Sequence, residues 1–179
     1  MDNAYNLFDV SPGAGLRYTF TSTGINDIIK VIDYSFVDFQ SDVIKADAIF
    51  NFGFGDYDFE TGTIKDDIMS DNGDGRMVLR TSLSTIPFFF EKYPTHAIMI
   101  TGSDSKDDYH EKCFPDCRKR CKHPKDCRNK HQRINVYRRH LDNNFEEYSK
   151  SYNFFGGIGD IIEEYVPEKM YYSVFVIKK

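Results

Sequence analysis

All four cysteines of the chain, Cys113, Cys117, Cys121 and Cys127, fall between residues 113 and 127, with His110, His123, His131 and His140 close by. Thiolate sulfur and neutral imidazole nitrogen are the donors a borderline-soft divalent ion prefers, and zinc (Zn) takes four of them as a closed tetrahedron. Cys113, Cys121, Cys127 and His131 read C-x7-C-x5-C-x3-H, three thiolates and one imidazole, which leaves Cys117 spare. The four cysteines together satisfy the same chemistry, as does a set in which His110 or His123 replaces a member, and the spacing does not choose among them. A structural metal suits this polar stretch, which is too poor in apolar residues to build a core of its own, because the ion then supplies the folding free energy. Two disulfides need an oxidising compartment, and C-x3-C-x3-C departs from the usual spacings of iron–sulfur ligands.

The C-x7-C-x5-C-x3-H run resembles the CCCH zinc-finger class, and such fingers in general contact single-stranded RNA through backbone groups and stacked aromatics. Charge points the same way. Between Glu111 and His140 there are 11 basic residues against three acidic ones, a net +8, while the whole chain is −5 and the remainder therefore −13. A basic cluster of this kind favours a polyanionic partner. Arg118, Lys119, Arg120, Lys122, Lys125 and Arg128 are the candidate phosphate contacts. Only Phe114 lies between the outer ligands, with Tyr109 and Tyr137 flanking, so base stacking is thin and phosphate contact outweighs base reading. The expected partner is thus nucleic acid, single-stranded by preference. The alternatives are a toxin-type or protein-interaction module, in which the basic segment or the acidic N-terminal half docks a protein partner, and a basic segment folded against the acidic half of the same chain.

An enzymatic reading rests on other residues. Gly102 and Ser103 follow a short apolar run, where turn N–H groups can cradle an anion, and Arg133 and Tyr137 stand one helical turn apart in the next helix. A phosphate-bearing ligand would sit between the Gly102 loop and Arg133, with Asp56 or Asp74 as base or metal ligand. No catalytic motif is matched, and a plain turn with Tyr137 in the core accounts for the same residues. Asp71-Asn72-Gly73-Asp74-Gly75 lacks the closing Glu of a calcium loop.

The elements that would position these residues read as α+β. Strands are expected at Arg17–Ser22, around Ile28–Phe39, and from Ala46, where Ala46, Ala48, Phe50, Phe52 and Phe54 alternate with other residues. Residues 56–75, crowded with Asp, Gly and Asn, read as turns and loop, with Asp74 a helix N-cap. Leu79, Leu83, Ile86 and Phe90 form the stripe of one helix kinked by Pro87. His96–Thr101 is a buried strand, and Ile134, Tyr137, Leu141 and Phe145 mark a second helix with Arg133, Arg138 and Arg139 on its other faces. Strands are expected at Tyr152–Phe155 and, apolar on both faces, at Tyr171–Ile177, with a short helix at Ile158–Tyr165 between them. The sum is a single α+β domain spanning residues 1–179, with a mixed, mostly antiparallel sheet covered by two main helices and a small metal-braced insert at 104–131.

The chain resembles a bacterial family of small proteins of unassigned function found largely in Bacteroidetes-type genomes. The likeness is carried by Gly53-Phe54-Gly55-Asp56 after a strand, Asn72-Gly73-Asp74 at a helix start, and Thr101-Gly102-Ser103 at a strand end. It continues through Arg133, Asn135, Val136 and Tyr137 in a helix and the final stretch from Tyr171 to Lys179. It covers most of the chain outside residues 104–131, and departs where Asn135 replaces a second Arg and where the cysteine-rich insert separates the Gly-Ser loop from its helix. The resemblance implies the α+β fold and no particular chemistry.

Length and composition agree. At 179 residues, 40% hydrophobic and 16% aromatic with 16 Phe, 12 Tyr and no Trp, the chain has material for one core. It lacks an apolar run of about 18 residues that would span a membrane, and the N-terminal residues do not read as a signal peptide, so a soluble cytoplasmic protein is expected.

Overall fold

A computed structural model of the chain describes residues 4–13, 15–65, 72–106, 108–117, 121–123 and 126–179. The fold is the expected α+β class, with a mixed, mostly antiparallel sheet and helices. The chain groups into two compact units, one from residues up to Gln40 with Ala46–Ile98 and Lys178, the other from Ser41–Lys45, Met99–Ile177 and Lys179. Among the described residues no helix is long and apolar enough to cross a membrane.

In the first unit, β1 (Phe8–Asp9), β2 (Leu16–Ser22), β3 (Ile28–Val37) and β4 (Ile49–Asp58) are neighbours in that order, and β5 (Thr63–Lys65) pairs with β4. All these pairings are antiparallel. β2 shows the period-2 pattern most clearly, with Leu16, Tyr18, Phe20 and Ser22 buried. Aromatic rings hold the interior: Tyr34 lies 4.8 Å from Phe89 and 5.6 Å from Phe52 between ring centroids, and Phe50 stacks on Tyr93 at 5.3 Å. Each such pair adds to the area it buries. Residues 56–75, expected as loop, instead begin with the end of β4 and include β5. Asp58 makes that hairpin by accepting hydrogen bonds from Glu60 N (2.9 Å) and Thr61 Oγ1 (2.8 Å), and Gly62 takes the positive φ of 67° that the turn needs.

The single kinked helix expected over Leu79–Phe90 is two helices, α1 (Gly75–Leu83) and α2 (Ile86–Lys92). Pro87 sits in the first turn of α2, where a missing N–H costs nothing, so the chain restarts rather than bends. The buried face also differs from the stripe at Leu79, Leu83, Ile86 and Phe90. It carries Val78, Thr81, Ser82, Thr85 and Phe89 together with Phe90. The hydroxyls are buried without penalty because each donates to a carbonyl three or four residues back: Thr81 to Met77 O (2.9 Å), Ser82 to Val78 O (2.8 Å) and Thr85 to Ser82 O (2.7 Å).

The remaining strands run in the order β6 (Ala97–Thr101), β9 (Ser173–Lys178), β7 (Tyr152–Ile158), β8 (Ile161–Glu164), of which all but Ala97, Ile98 and Lys178 belong to the second unit. β9 lies between β6 and β7 with Val174, Phe175 and Val176 buried, the central strand its sequence describes. The helix expected at Ile158–Tyr165 is strand β8, in register with β7 from Ile158↔Ile161 to Phe155↔Glu164. Gly159-Asp160 is a two-residue hairpin loop with Gly159 at φ 58°, and that turn chemistry outweighs the short apolar run. A five-residue helix, α3 (Tyr109–Cys113), precedes the long helix α4 (Gln132–Tyr148). Ile134 and Leu141 of α4 are buried as expected, and Phe145 packs on Phe154 and Tyr165 at 5.9 and 5.8 Å. Arg138, expected on an outer face, is buried instead. Its guanidinium donates to Asn135 Oδ1 (2.9 Å), Met170 Sδ (2.9 Å) and the Lys169 carbonyl, so the helix brings a cation inward on neutral partners.

Candidate metal centre

The cysteine segment starts with two short turns. α3 ends at Cys113, and Phe114–Asp116, with Pro115 in its first turn, forms a 3-10 helix. Near-continuous helical winding puts Cys113 and Cys117, four residues apart, on one side. Cys127, just before α4, joins them, and the three Sγ atoms lie within 4.8 Å of one another. A tetrahedral site with zinc–sulfur bonds of 2.3 Å has sulfurs about 3.8 Å apart, so this group is close to the spacing a metal would require. Cys121 Sγ is 3.5 Å from Cys117 Sγ, much longer than a disulfide, and all four residues are thiols. N–H groups point at the sulfurs: Arg128 N donates to Cys121 Sγ (3.3 Å), and Asn129 Nδ2 to Cys113 Sγ (3.3 Å) and Cys117 Sγ (3.8 Å). Burial pushes the Cys127 thiol above its usual pKa. The Tyr109 phenol is pushed up to about 12 by burial and by the adjacent Cys113.

His131 stands apart from this group. It has a left-handed φ of 63° at the start of α4, its Nδ1 is 3.0 Å from Ser105 Oγ, and its ring stacks on Tyr172 at 4.2 Å. Burial, then Lys130, lowers its pKa, which favours the neutral imidazole. His110 Nε2 lies 4.0 Å from Glu111, and His140 Nε2 lies 2.9 Å from Tyr148 Oη. Among the described residues, the donors close enough to share an ion are Cys113, Cys117 and Cys127, so Cys117, read as spare, is in the group.

Of the basic residues, Lys122 and Arg128 are exposed, whereas Arg118, Lys119, Arg120 and Lys125 lie outside the described residues. At the Gly102 loop, Arg133 Nη1 donates to Ser103 Oγ, so those two expected partners do meet. The carboxylate of Asp104 is there too, its Oδ2 accepting from Arg133 N at 2.9 Å, and Tyr137 sits in a setting whose burial raises its phenol pKa. Asp104 was missed by the sequence reading. It is almost wholly buried, and it caps α4 from a residue remote in sequence, while its carbonyl accepts from His131 N at 3.2 Å. A capping carboxylate offers a sequence signal only when its helix starts beside it; here 27 residues intervene between Asp104 and Gln132.

Asp56 and Asp74, expected near a phosphate ligand, belong to a polar cluster in the first unit. Asp56 Oδ1 pairs with the buried Lys30. Asp74 occupies the N-cap position of α1 as expected, but its side chain makes no capping bond; its Oδ2 instead accepts from Tyr5 Oη and Ser22 Oγ, both at 2.6 Å. Asn72 donates to Ser22 Oγ (3.0 Å) and to Asn26 O (2.9 Å), closing the cluster.

Residues 2–108 match the model of a family described as "Family of unknown function (DUF6934)". The chain belongs to this family. The match takes in the Lys30–Asp56–Asp74 cluster and ends before Cys113, so the sulfur group lies beyond the part compared. No curated protein and no solved structure matches the chain.

Proposed function

We propose that the cysteine segment is a zinc-binding module that gives this chain a basic, phosphate-binding surface, with single-stranded nucleic acid as its ligand. The observation that carries the metal part is the convergence of Cys113, Cys117 and Cys127 within 4.8 Å, with Asn129 and Arg128 N–H groups directed at the sulfurs. Closely spaced thiolates repel one another unless a cation holds them, and zinc suits an all-sulfur, redox-inert, tetrahedral setting. The nucleic-acid part is supported by the +8 charge of residues 111–140 and by the exposure of Lys122 and Arg128. A braced cluster of cations attracts phosphate without reading bases.

The test is elemental analysis of protein purified without chelator, followed by fluorescence-anisotropy titration of mixed-sequence single-stranded RNA and DNA at two salt concentrations. One zinc per chain and salt-sensitive binding weakened alike for all sequences by Arg118→Glu, Lys119→Glu and Arg120→Glu together are expected. Zinc without nucleic-acid binding at low salt would leave a protein partner as the better reading, and less than about 0.2 equivalents of transition metal would end the metal reading.

A further inference from the structure

The sequence leaves the fourth ligand open, and the geometry of the segment bears on it. Three sulfurs are already grouped, and the remaining choice lies between Cys121 and the histidines. Cys121 Sγ stands 3.5 Å from Cys117 Sγ, inside the edge length of about 3.8 Å that a zinc–thiolate tetrahedron has. It also carries the mark of a ligand held from outside, since Arg128 N, next to Cys127 in the chain, donates to it at 3.3 Å. Metal-bound groups are characteristically fixed by such outer hydrogen bonds. Asn129 provides a second set: one side-chain amide spans Cys113 (3.3 Å) and Cys117 (3.8 Å). Cys113, Cys117 and Cys121 therefore each receive an N–H from the two residues that follow Cys127, and Cys127 itself accepts from the backbone N–H groups of Asn129 and Lys130.

His131 is bound up in another structure. Its backbone N reaches Asp104 O, its Nδ1 faces Ser105 Oγ, its ring lies flat on Tyr172, and its left-handed backbone opens α4. Those four constraints place it in the joint that seats α4; Cys121 also lies outside the group of three donors, but its Sγ is 3.5 Å from one of them, whereas the His131 ring is engaged by Ser105 and Tyr172. His110 faces Glu111 across 4.0 Å, and the exposed His123 has no place in the sulfur group.

We infer that Cys113, Cys117, Cys121 and Cys127 form a four-thiolate zinc site, with Asn129 as a positioning residue that holds Cys113 and Cys117, and that His131 is not a ligand. The inference rests on the metal reading above. Its charge consequence follows directly: four thiolates and one divalent cation sum to −2, so the loaded segment carries about +6 rather than its formal +8. Cys121 stands outside the group of three, so it would complete a tetrahedron only with its Sγ brought within reach of Cys113 and Cys127.

Zinc K-edge X-ray absorption on the wild-type, metal-loaded chain reads the ligand shell without any variant. Four sulfurs at about 2.3 Å are expected, and a shell of three sulfurs with one nitrogen at about 2.0–2.1 Å overturns the inference while leaving the metal reading intact. Absence of zinc from the wild type overturns both. As a second measurement, Cys121→Ser should lose zinc to a competing chelator at least tenfold more readily, whereas His131→Gln should retain it; the reverse order refutes the assignment. Asn129→Ala should weaken zinc retention about 10- to 100-fold, the range typical of lost outer-shell partners. It should also shift the thiolate charge-transfer bands of the cobalt-substituted protein, which a purely structural role would not move. Unchanged bands and unchanged retention remove Asn129 from the site.

Discussion

Replacing Lys30 tests the polar cluster in the family-matched part of the chain. Lys30 and Asp56 stand directly opposite in the β3–β4 register, and both side chains are nearly closed off from solvent, 4% and 10% exposed. Lys30→Met keeps the length of the stem but leaves the Asp56 carboxylate buried and removes the cation that also favours ionised Asp74. Breaking a buried pair from one side costs about 3–5 kcal/mol, a large share of the roughly 5–15 kcal/mol that holds a domain together. With a urea slope of about 2 kcal/mol/M, the midpoint should fall by about 1.5–2.5 M. The double variant Lys30→Met with Asp56→Leu removes both charges and should return to within about 1 kcal/mol of wild type. Equilibrium urea unfolding, followed by far-ultraviolet circular dichroism and by tyrosine fluorescence since the chain has no Trp, gives all four corners of the cycle. A single variant that loses less than about 1 kcal/mol, as at an exposed pair, would refute the burial argument. So would a double variant as unstable as the singles.

Three further outcomes are expected. Excising residues 106–130 with a short Gly-Ser joint should leave a cooperative thermal transition, because Ser105 Oγ and His131 Nδ1 are only 3.0 Å apart; excising 104–131 also removes the Asp104 cap on α4 and should be less stable by about 1–2 kcal/mol. Asp58 has its pKa held at about 2, below the ordinary 3.8, by Lys65 and Thr61, so its contribution is complete above about pH 4 and is lost as pH falls toward 2. Asp74 and Glu163 are shifted in the same direction, Asp74 by Ser22 and Tyr5 against the effect of burial and Glu163 by Lys169 and Tyr171, so thermal midpoints should drop across that window and Asp58→Asn should flatten the profile. Gly159→Val puts a β-branched residue at φ 58° in the β7–β8 hairpin and should cost more than about 1 kcal/mol in urea unfolding.

The strands were the most legible part of the fold. Side-chain alternation in β2 and the apolar density of β3 and β9 come from burial of whole faces, which composition displays directly. Where turn residues decide, the reading failed in both directions. Asp58 and Gly62 build a hairpin inside a stretch that looks like loop, and Gly159-Asp160 turns an apolar run into two strands where a helix was expected. The common reason is that a two- to four-residue turn sets pairing partners whose own residues are only weakly patterned.

Polar residues taken into the interior account for the rest. Thr81, Ser82 and Thr85 look like the outer face of a helix to a hydropathy pattern, yet each finds its acceptor within its own backbone and is free to face the core. Arg138 looks like a surface cation, but its acceptors are Asn135 and residues 169 and 170, from a segment that sequence distance hides. Asp104 and its helix are separated in the same way. The candidate metal centre shows both limits at once. That cysteines within a basic stretch should gather is legible from donor chemistry, and Cys113, Cys117 and Cys127 do lie within 4.8 Å of one another. Which donors gather depends on local winding and on a distant pairing: α3 and the turn after it set Cys117 beside Cys113, while Asp104, Ser105 and Tyr172 draw His131 toward α4. A spacing rule records how far apart ligands are along the chain, and it says nothing of the competing partner that holds one of them elsewhere.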